Sequence, residues 1–284
     1  MRNSPKTFLT LLRAAAQALG KAGIENPAAE AEILFMETLD CSRAALLSHY
    51  DEIPSADILE RLEQTLLRRS NREPVQYIFG RAYFMNLCLE VTPDVLIPRP
   101  ETELLVENIC LTAPENASIL DLGTGSGAIA LAVACERLDV QVTAVDISPA
   151  ALAVAERNRQ SYNLQNVSLL QSNLFSALAD RTFDCIAANL PYVSHEEYAT
   201  LQPEVKNHEP QLALTADDSG LAVIRRAAEA APSHLKAGGK IIFEIGAPQA
   251  TAVKKILQAI DAFTEISVLK DYSRHDRFVV AVKK

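Results

Sequence analysis

The stretch Asp121-Leu122-Gly123-Thr124-Gly125-Ser126-Gly127 joins two segments of different periodicity. The apolar run before it, Ala117 to Leu122, predicts a strand, and the Ala-rich segment after it, Ala128 to Arg137, predicts a helix. Three glycines at alternate positions permit positive φ and let a ligand lie against the backbone with no Cβ between them. The free N–H groups of the helix start favour a partly negative ligand group. The sequence therefore predicts a strand, a ligand-binding turn and a helix.

A second acidic residue, Asp146, follows the apolar run Val140 to Val145 and lies 19 positions beyond Gly127. Nucleoside-binding folds keep a ribose-binding carboxylate at about this distance from the glycine turn. A dinucleotide fingerprint is disfavoured, since Gly125 and Gly127 are two positions apart rather than three. The pattern resembles the S-adenosylmethionine loop of class I methyltransferases, in which Asp121 would suit the cationic end of the ligand and Asp146 its ribose hydroxyls. A turn without a ligand is the alternative interpretation.

Length and composition limit the class of protein. The chain has 284 residues, of which 49% are hydrophobic and 22% charged, with a formal net charge of −9. This balance is typical of a folded protein of about two domains, and it argues against a free-standing nucleic-acid binder. No apolar run reaches membrane-spanning length, and five widely spaced cysteines indicate reduced thiols. We therefore expect a cytoplasmic protein with no metal site.

Periodicity divides the chain into three parts. Residues 1–74 follow a helical pattern and predict a helical bundle, with Asn26, Ser42 and Ser55 as candidate helix caps. Residues 75–98 change to a period of two and predict a β-hairpin linker. Residues 99–284 alternate apolar strands with helices, which predicts an α/β domain with a doubly wound, mostly parallel, seven-stranded, Rossmann-like sheet. A ligand is expected beyond the carboxyl ends of its strands.

The segment Asn189-Leu190-Pro191-Tyr192 follows the predicted fourth strand, Phe183 to Ala188. The Asn189 side-chain oxygen and the Leu190 carbonyl can each accept one N–H of a planar –NH2 group, while Tyr192 stacks on its plane. Such a site suits methylation of an amide nitrogen, because fixing the nitrogen in line with a sulfonium methyl group compensates for its weak nucleophilicity. An ordinary strand-ending turn with a buried tyrosine is the alternative.

The chain is similar over nearly its whole length to the bacterial release-factor glutamine methyltransferases, which have a helical domain, a hairpin linker and a class I methyltransferase domain. Pro98 to Glu103 is the most specific part of the similarity and favours this branch over the ribosomal-protein glutamine methyltransferases. The supporting segments are Arg72-Glu73-Pro74-Val75-Gln76-Tyr77, Leu96-Ile97-Pro98-Arg99-Pro100-Glu101-Thr102-Glu103, Ile119 through Ala130, Glu209-Pro210 with Asp218-Ser219-Gly220-Leu221, and Phe243-Glu244-Ile245-Gly246.

The resemblance implies methyl transfer from S-adenosyl-L-methionine, leaving S-adenosyl-L-homocysteine, to the glutamine side-chain nitrogen in the Gly-Gly-Gln motif of class 1 peptide-chain release factors. It implies that Gly123 to Gly127, Asp146 and Asn189 hold the cofactor and that Asn189 to Tyr192 hold the glutamine. Glu244, at the end of the predicted fifth strand, is a candidate for the substrate cavity, and a capping or salt-bridge role is the alternative. The release factor is then the expected partner, bound by a monomer without direct contact to nucleic acid or membrane.

Two residues depart from the family pattern. Leu190 stands where the family usually has proline, but the hydrogen bond comes from its backbone carbonyl, so function should survive. Leu174 stands where close relatives often have an aromatic residue against adenine, which should weaken cofactor affinity.

Three rival functions remain open at this point. Asn-Leu-Pro-Tyr also resembles the motif of ribosomal-RNA adenine dimethyltransferases, so methylation of an adenine amino group in rRNA or DNA is the main alternative. A nicotinamide-dependent oxidoreductase is disfavoured by the glycine spacing. A non-catalytic binding module would be indifferent to loss of the Asn189 side chain.

Overall fold

The structure, a computed structural model, describes residues 6–284, which form two compact units. One contains the chain up to Gly80 together with Pro203–His208. The other contains Arg81–Gln202 and Glu209–Lys284. Among the residues described, no helix is both long and apolar enough to span a membrane.

The first unit is helical, as the sequence predicts. Its helices are α1 (Phe8–Lys21), α2 (Pro27–Leu39), α3 (Arg43–Ser48), α4 (Ala56–Ser70), α5 (Val75–Phe79) and α10 (Pro203–His208). The short helix α5 lies where the sequence predicted a strand pattern. Apolar side chains spaced three and four apart on α1 and α2 meet in the core, where the rings of Phe8 and Phe35 pack edge to face with centroids 6.5 Å apart.

Two of the three predicted caps in this unit are confirmed. The hydroxyl oxygens of Ser42 and Ser55 accept hydrogen bonds from the third backbone N–H of α3 and α4. The prediction for Asn26 is wrong, because its φ of 51° is left-handed and its side chain makes no capping bond. Pro27 begins the helix there instead, since its missing N–H costs nothing in the first turn.

The second unit has two sheets and the remaining helices. Its strands are β1 (Arg81–Phe84), β2 (Leu87–Glu90), β3 (Ser118–Leu122), β4 (Gln141–Asp146), β5 (Val167–Gln171), β6 (Phe183–Ala188), β7 (Leu235–Glu244), β8 (Phe263–Lys270) and β9 (Asp276–Lys283). Its helices are α6 (Glu103–Thr112), α7 (Ala128–Glu136), α8 (Pro149–Ser161), α9 (His195–Tyr198), α11 (Asp217–Gly220), α12 (Ala222–His234) and α13 (Ala250–Gln258). Three short 3-10 turns complete it: Pro100–Thr102, Gln211–Ala213 and Ala247–Gln249.

The large sheet confirms the predicted doubly wound α/β fold. Its seven strands follow the order β5-β4-β3-β6-β7-β9-β8, and only the pairs of β9 are antiparallel. Successive strands run outward from β3 to β5, and the chain then returns to β6 on the other side of β3. The strand order therefore reverses between β3 and β6, and a crevice forms beyond their carboxyl ends.

Helices cover both faces of this sheet. Ile119 of β3 packs in one core cluster with residues of α6 and α7, whereas Leu120 and Leu122 pack in another with residues of α12 and α13. Burial on both faces explains why the strands read as continuous apolar runs rather than as alternating ones. The hairpin β1–β2 turns at Met85-Asn86, as predicted, and pairs Phe84 with Leu87.

The sequence from Asp218 to Leu235 has a helical pattern, which predicts one helix, but the structure interrupts it. Asp218 and Ser219 have positive φ, and α12 begins only at Ala222. Only glycine fits at position 220, next to the break, because its φ is 83° and a Cβ there would overlap the carbonyl oxygen of Tyr192. This close approach fixes the turn after Asn189, where the sequence predicts a site.

A network of ion pairs stabilises the first unit. The Arg69 guanidinium, in a side chain only 7% exposed, binds the carboxylates of Glu30 and Glu204 at 3.0 Å each. Glu204 also accepts from Arg72 at 2.6 Å. The helix α10 is thereby attached to α4 by a partly buried carboxylate.

We expect Glu204→Ala to lower the free energy of unfolding by about 2–4 kcal/mol, because Arg69 then keeps a buried charge with one partner fewer. Urea unfolding of the full chain, followed by circular dichroism, measures this loss. Glu32→Ala is the matched control, since its partner Arg43 is largely exposed and the change should be small. Equal losses in the two variants would contradict the role of Glu204.

Candidate active site

A cavity of about 390 Å³ lies at the carboxyl ends of β3, β4 and β6. Its walls come from seven segments of the second unit. They are the glycine turn after β3 with the start of α7, Asp146 to Ser148, Ser172 to Leu174, Asn189 to Pro191, the stretch from Pro93 to Thr102, residues between Pro210 and Thr215, and Val223 with Arg226 of α12. The structure thus brings together most of the residues that the sequence singled out.

The glycine turn is fixed by hydrogen bonds to β4. The N–H groups of Gly123 and Thr124 both donate to the carbonyl oxygen of Val145, at 2.9 Å each. The N–H of Gly125 donates to Asp146 Oδ2, also at 2.9 Å. These three bonds attach the loop to the end of β4.

Gly125 exposes the backbone to the cavity. Its φ is 55°, and a Cβ placed there would have no neighbour within 4 Å. Gly127 has a different role, because its φ is 87° and a Cβ would lie 3.0 Å from Leu131. The turn thus offers main chain on one side and packs closely onto its helix on the other, which fits a ligand lying on the backbone.

Asp121 lies behind this loop. It is fully buried, does not line the cavity, and accepts the Thr124 hydroxyl at 2.6 Å on Oδ2. Its other oxygen, Oδ1, is buried without a hydrogen-bond partner among residues 6–284. Burial raises the pKa of Asp121 to about 7, although the Thr124 bond opposes the shift. Its observed contact is with the loop, and direct contact with a ligand stays a prediction.

Asp146 does line the cavity. Its two oxygens accept the N–H groups of Gly125 and Ser148 at 2.9 Å each, and burial raises its pKa. Each carboxylate oxygen keeps a further lone pair. The geometry suits acceptance of hydroxyl groups from a sugar.

Asn158 holds the loop from the side and was missed by the sequence prediction. It is 2% exposed, donates to the Ser126 carbonyl at 2.9 Å, and accepts the N–H of Glu90 at 2.7 Å. One amide thus connects the glycine turn to the hairpin. The sequence did contain a sign of this structural role, because Asn158 lies on the same face of α8 as the buried residues Ala151 and Val154.

Leu174 lines the cavity, and its contact with an adenine ring stays a prediction. Its φ of 52° is unusual for leucine, and the Ser172 hydroxyl stabilises the turn by donating to its carbonyl at 2.6 Å.

The turn after β6 lies directly against the glycine loop. A Cβ on Gly123 would come within 3.2 Å of the Leu190 side chain and 3.8 Å of the Asn189 carbonyl oxygen. The Asn189 amide nitrogen donates to the Thr102 hydroxyl at 3.2 Å, whereas no described residue donates to its Oδ1. Thr102, which the sequence analysis did not single out, is thus the side chain that holds Asn189.

Tyr192 and Glu244 lie outside the cavity lining. Gln249 donates to the Tyr192 carbonyl at 2.8 Å, and burial raises the pKa of the Tyr192 phenol to about 12. Glu244 is 1% exposed and accepts the Thr102 hydroxyl at 2.7 Å. Burial raises its pKa to about 7. Stacking by Tyr192 and substrate contact by Glu244 stay predictions.

Glu209 ties two walls of the cavity together. Its buried carboxylate accepts the Ile97 N–H at 3.3 Å and the Arg99 guanidinium at 2.6 Å. The segments before Thr102 and after Glu209 are therefore held at a fixed separation.

Comparison with known proteins assigns this arrangement to a class. A family model described as the PrmC N-terminal domain matches residues 10–80, and one described as the methyltransferase small domain matches residues 100–213. Two solved structures share the fold: a methyltransferase from Pyrococcus furiosus (TM-score 0.54, 20% identity, covering 70% of this chain and 90% of that one) and the T. thermophilus 16S rRNA N2 G1207 methyltransferase in complex with AdoMet and guanosine (TM-score 0.53, 18% identity, covering 72% and 50%). The fold and its site define a methyltransferase.

Proteins that are similar in sequence show which family of methyltransferases the chain belongs to. Proteins named release factor glutamine methyltransferase match from Caulobacter vibrioides (40% identity, covering 97% of each chain), Vibrio cholerae (39%, covering 98% of this chain and 97% of that one) and Fusobacterium nucleatum (40%, covering 97% and 78%). The chain belongs to the release factor glutamine methyltransferase family.

The buried Asp121 carboxyl should make stability depend on pH. Its folded pKa, about 7, lies above the value of an unfolded aspartate, so its stabilising contribution is complete at low pH and is lost as the pH rises to about 7. Relative to Asp121→Asn, the wild-type free energy of unfolding should fall by about 4 kcal/mol from about pH 4 to about pH 8. Chemical denaturation across this range measures the difference.

Asp57→Asn, an exposed site on α4, controls for the loss of one charge. A difference between wild type and Asp121→Asn that stays constant with pH would show that Asp121 is ionised throughout.

Proposed function

We propose that this chain methylates the side-chain amide nitrogen of the glutamine in the Gly-Gly-Gln motif of class 1 release factors. The observation that carries the proposal is the position of Asn189, whose Oδ1 accepts no bond from residues 6–284 while its turn packs against Gly123. Membership of the family supports the same substrate. The release factor is the proposed partner, bound in the cytoplasm by a monomer without direct contact to nucleic acid or membrane.

The residues present fit S-adenosylmethionine as methyl donor. Gly125 leaves open backbone toward the cavity, and Asp146 keeps lone pairs for ribose hydroxyls. Leu174 offers an apolar surface for the adenine. Asp121 holds the loop through Thr124, and when it is ionised its buried carboxylate would favour the cationic end of the ligand. When bound, the cofactor supplies an electrophilic methyl group on a sulfonium.

The chain's own contribution to the reaction is positioning. Asn189 Oδ1 and the Leu190 carbonyl accept the two N–H groups of the glutamine amide, which fixes the nitrogen and favours its pyramidal form. No strong base is needed, since the N–H becomes acidic only once the new bond has formed. Orientation of this kind supplies several kcal/mol of the barrier, up to about 7–11. Pro191 restricts the turn, and Tyr192 is proposed to stack on the plane of the amide.

The departure at Leu190 is compatible with this role. Its side chain is 4% exposed and packs in the core toward Gly123, so the leucine fills the place of a family proline without occupying the cavity. The backbone carbonyl does not depend on the side chain.

The first test is mass spectrometry of a release factor after incubation with enzyme and S-adenosylmethionine. We expect one added methyl group on the Gly-Gly-Gln peptide. Asn189→Ala should lower turnover by about 10²–10³-fold, because it removes one of two acceptors, while S-adenosylhomocysteine still binds.

Asn86→Ala, on the exposed hairpin turn, is the matched control and should keep full turnover. Ribosomal RNA incubated with labelled cofactor provides the competing substrate. Label in RNA and none in the release factor would overturn the proposal in favour of an adenine methyltransferase.

The second test concerns the cofactor. Asp146→Ala should weaken S-adenosylhomocysteine binding at least about tenfold, because it removes a charged acceptor and frees the Gly125 N–H. Isothermal titration calorimetry measures the affinity, with the exposed Asp261→Ala as control. Unchanged affinity in Asp146→Ala would exclude the ribose-binding role.

A further inference from the structure

Three side chains form a continuous hydrogen-bonded chain that ends at the cavity. Glu244 Oε2 accepts the Thr102 hydroxyl at 2.7 Å, and Thr102 Oγ1 accepts the Asn189 amide nitrogen at 3.2 Å. Glu244 is 1% exposed and Thr102 4% exposed, so water does not replace either bond. These hydrogen bonds connect the buried carboxylate of Glu244 to Asn189, the residue proposed to hold the substrate.

When Glu244 is ionised, the chain has only one consistent direction of donation. An ionised carboxylate accepts and never donates, so the single Thr102 hydrogen must point at Glu244. The Thr102 oxygen is then left to accept, and only the –NH2 end of Asn189 can donate to it. Asn189 Oδ1 is consequently turned away from Thr102, as an acceptor.

The segment that carries Thr102 is itself fixed. Thr102 ends the 3-10 turn Pro100–Thr102, and the next residue, Glu103, accepts the Met85 N–H at 2.7 Å. Thr102 also contributes to the cavity wall. Its hydroxyl is therefore held at a defined place relative to Asn189.

Charged groups around Glu244 shift its pKa in both directions. Burial raises its pKa to about 7, with Arg277 and Arg99 lowering it and Glu101 raising it further. The Tyr192 phenol faces the same carboxyl and remains neutral, since its own pKa is raised to about 12. Glu244 is thus ionised above neutral pH.

We propose that Thr102, oriented by Glu244, is a positioning residue that fixes Asn189 with its oxygen toward the substrate and so makes the site select an amide –NH2 over a carboxylate. The inference rests on the proposed function. A glutamine side chain offers two N–H donors to the two acceptors, whereas a glutamate offers none and leaves both acceptors unpaired. Without Thr102, Asn189 is free to turn its own –NH2 toward the cavity.

The first experiment compares Thr102→Val with Thr102→Ser at about pH 8.5, where Glu244 is ionised. The valine variant keeps the shape but loses the hydroxyl, so kcat should fall about 10- to 100-fold with little change in KM for the release factor. Serine keeps the hydroxyl and should recover most of kcat. Equal kcat in the serine and valine variants would overturn the inference.

The control is Thr143→Val, which removes another 4% exposed hydroxyl, bonded to Arg181 at 2.9 Å and outside the cavity lining. It should leave kcat unchanged. S-adenosylhomocysteine affinity, measured by calorimetry, should be unaltered in all three variants, which separates positioning from misfolding. A matching fall in kcat in Thr143→Val would mean that any buried hydroxyl matters equally.

The second experiment tests selectivity with a release factor whose motif is Gly-Gly-Glu, used as an inhibitor of glutamine methylation. Wild type should discriminate strongly against it, and Thr102→Val should bind it about tenfold more tightly relative to the glutamine form. A purely structural role for Thr102 would not change this ratio. An unchanged ratio in Thr102→Val would overturn the inference.

The release-factor substrate and the role of Thr102 are distinguished by wild-type activity. If wild-type enzyme leaves the Gly-Gly-Gln peptide unmethylated, the proposed function fails. If wild type methylates it and Thr102→Val does so equally fast, only the role of Thr102 fails.

Discussion

The packing of Gly123 against the Asn189-Leu190 turn is the constraint on which the rest of the site depends. The two turns follow neighbouring parallel strands, β3 and β6, and a Cβ on Gly123 would come 3.2 Å from Leu190. The doubly wound topology puts both strand ends at the same edge of the sheet. Asp146 holds the glycine turn by accepting the Gly125 N–H, and Thr102 holds the other turn by accepting the Asn189 amide N–H.

The sequence predicted the parts of this site that repeat a local pattern. Runs of apolar residues located all seven strands, and the glycines, Asp146 and Asn189 stand directly at strand ends, where position alone indicates a ligand. Thr102 and Asn158 were missed because their partners lie far away along the chain, and a single polar residue carries no periodic signal. The break at Asp218 was missed for the same reason, since it depends on the distant backbone of Tyr192.

Two buried carboxyl groups lie behind the cavity rather than in it. Asp121 accepts the Thr124 hydroxyl and Glu244 the Thr102 hydroxyl, and burial raises both pKa values to about 7. Asp121 therefore acts on the cavity through Thr124, and Glu244 acts on it through Thr102. The sequence suggests ligand contact for Asp121 and a place in the substrate cavity for Glu244, because spacing reveals that a residue stands near a strand end but not which way its side chain turns; both contacts stay predictions.

The helix Pro203–His208 belongs to the helical unit although it lies late in the chain, and this has a consequence for biosynthesis. Glu204 supplies the second carboxylate of Arg69, yet it lies 124 residues beyond Gly80 in the chain. A nascent chain leaves the ribosome from its amino end. The helical unit therefore lacks its last helix until most of the other unit has been translated. No single cleavage of the polypeptide can separate the two units intact, and a fragment ending at Gly80 would lack this helix.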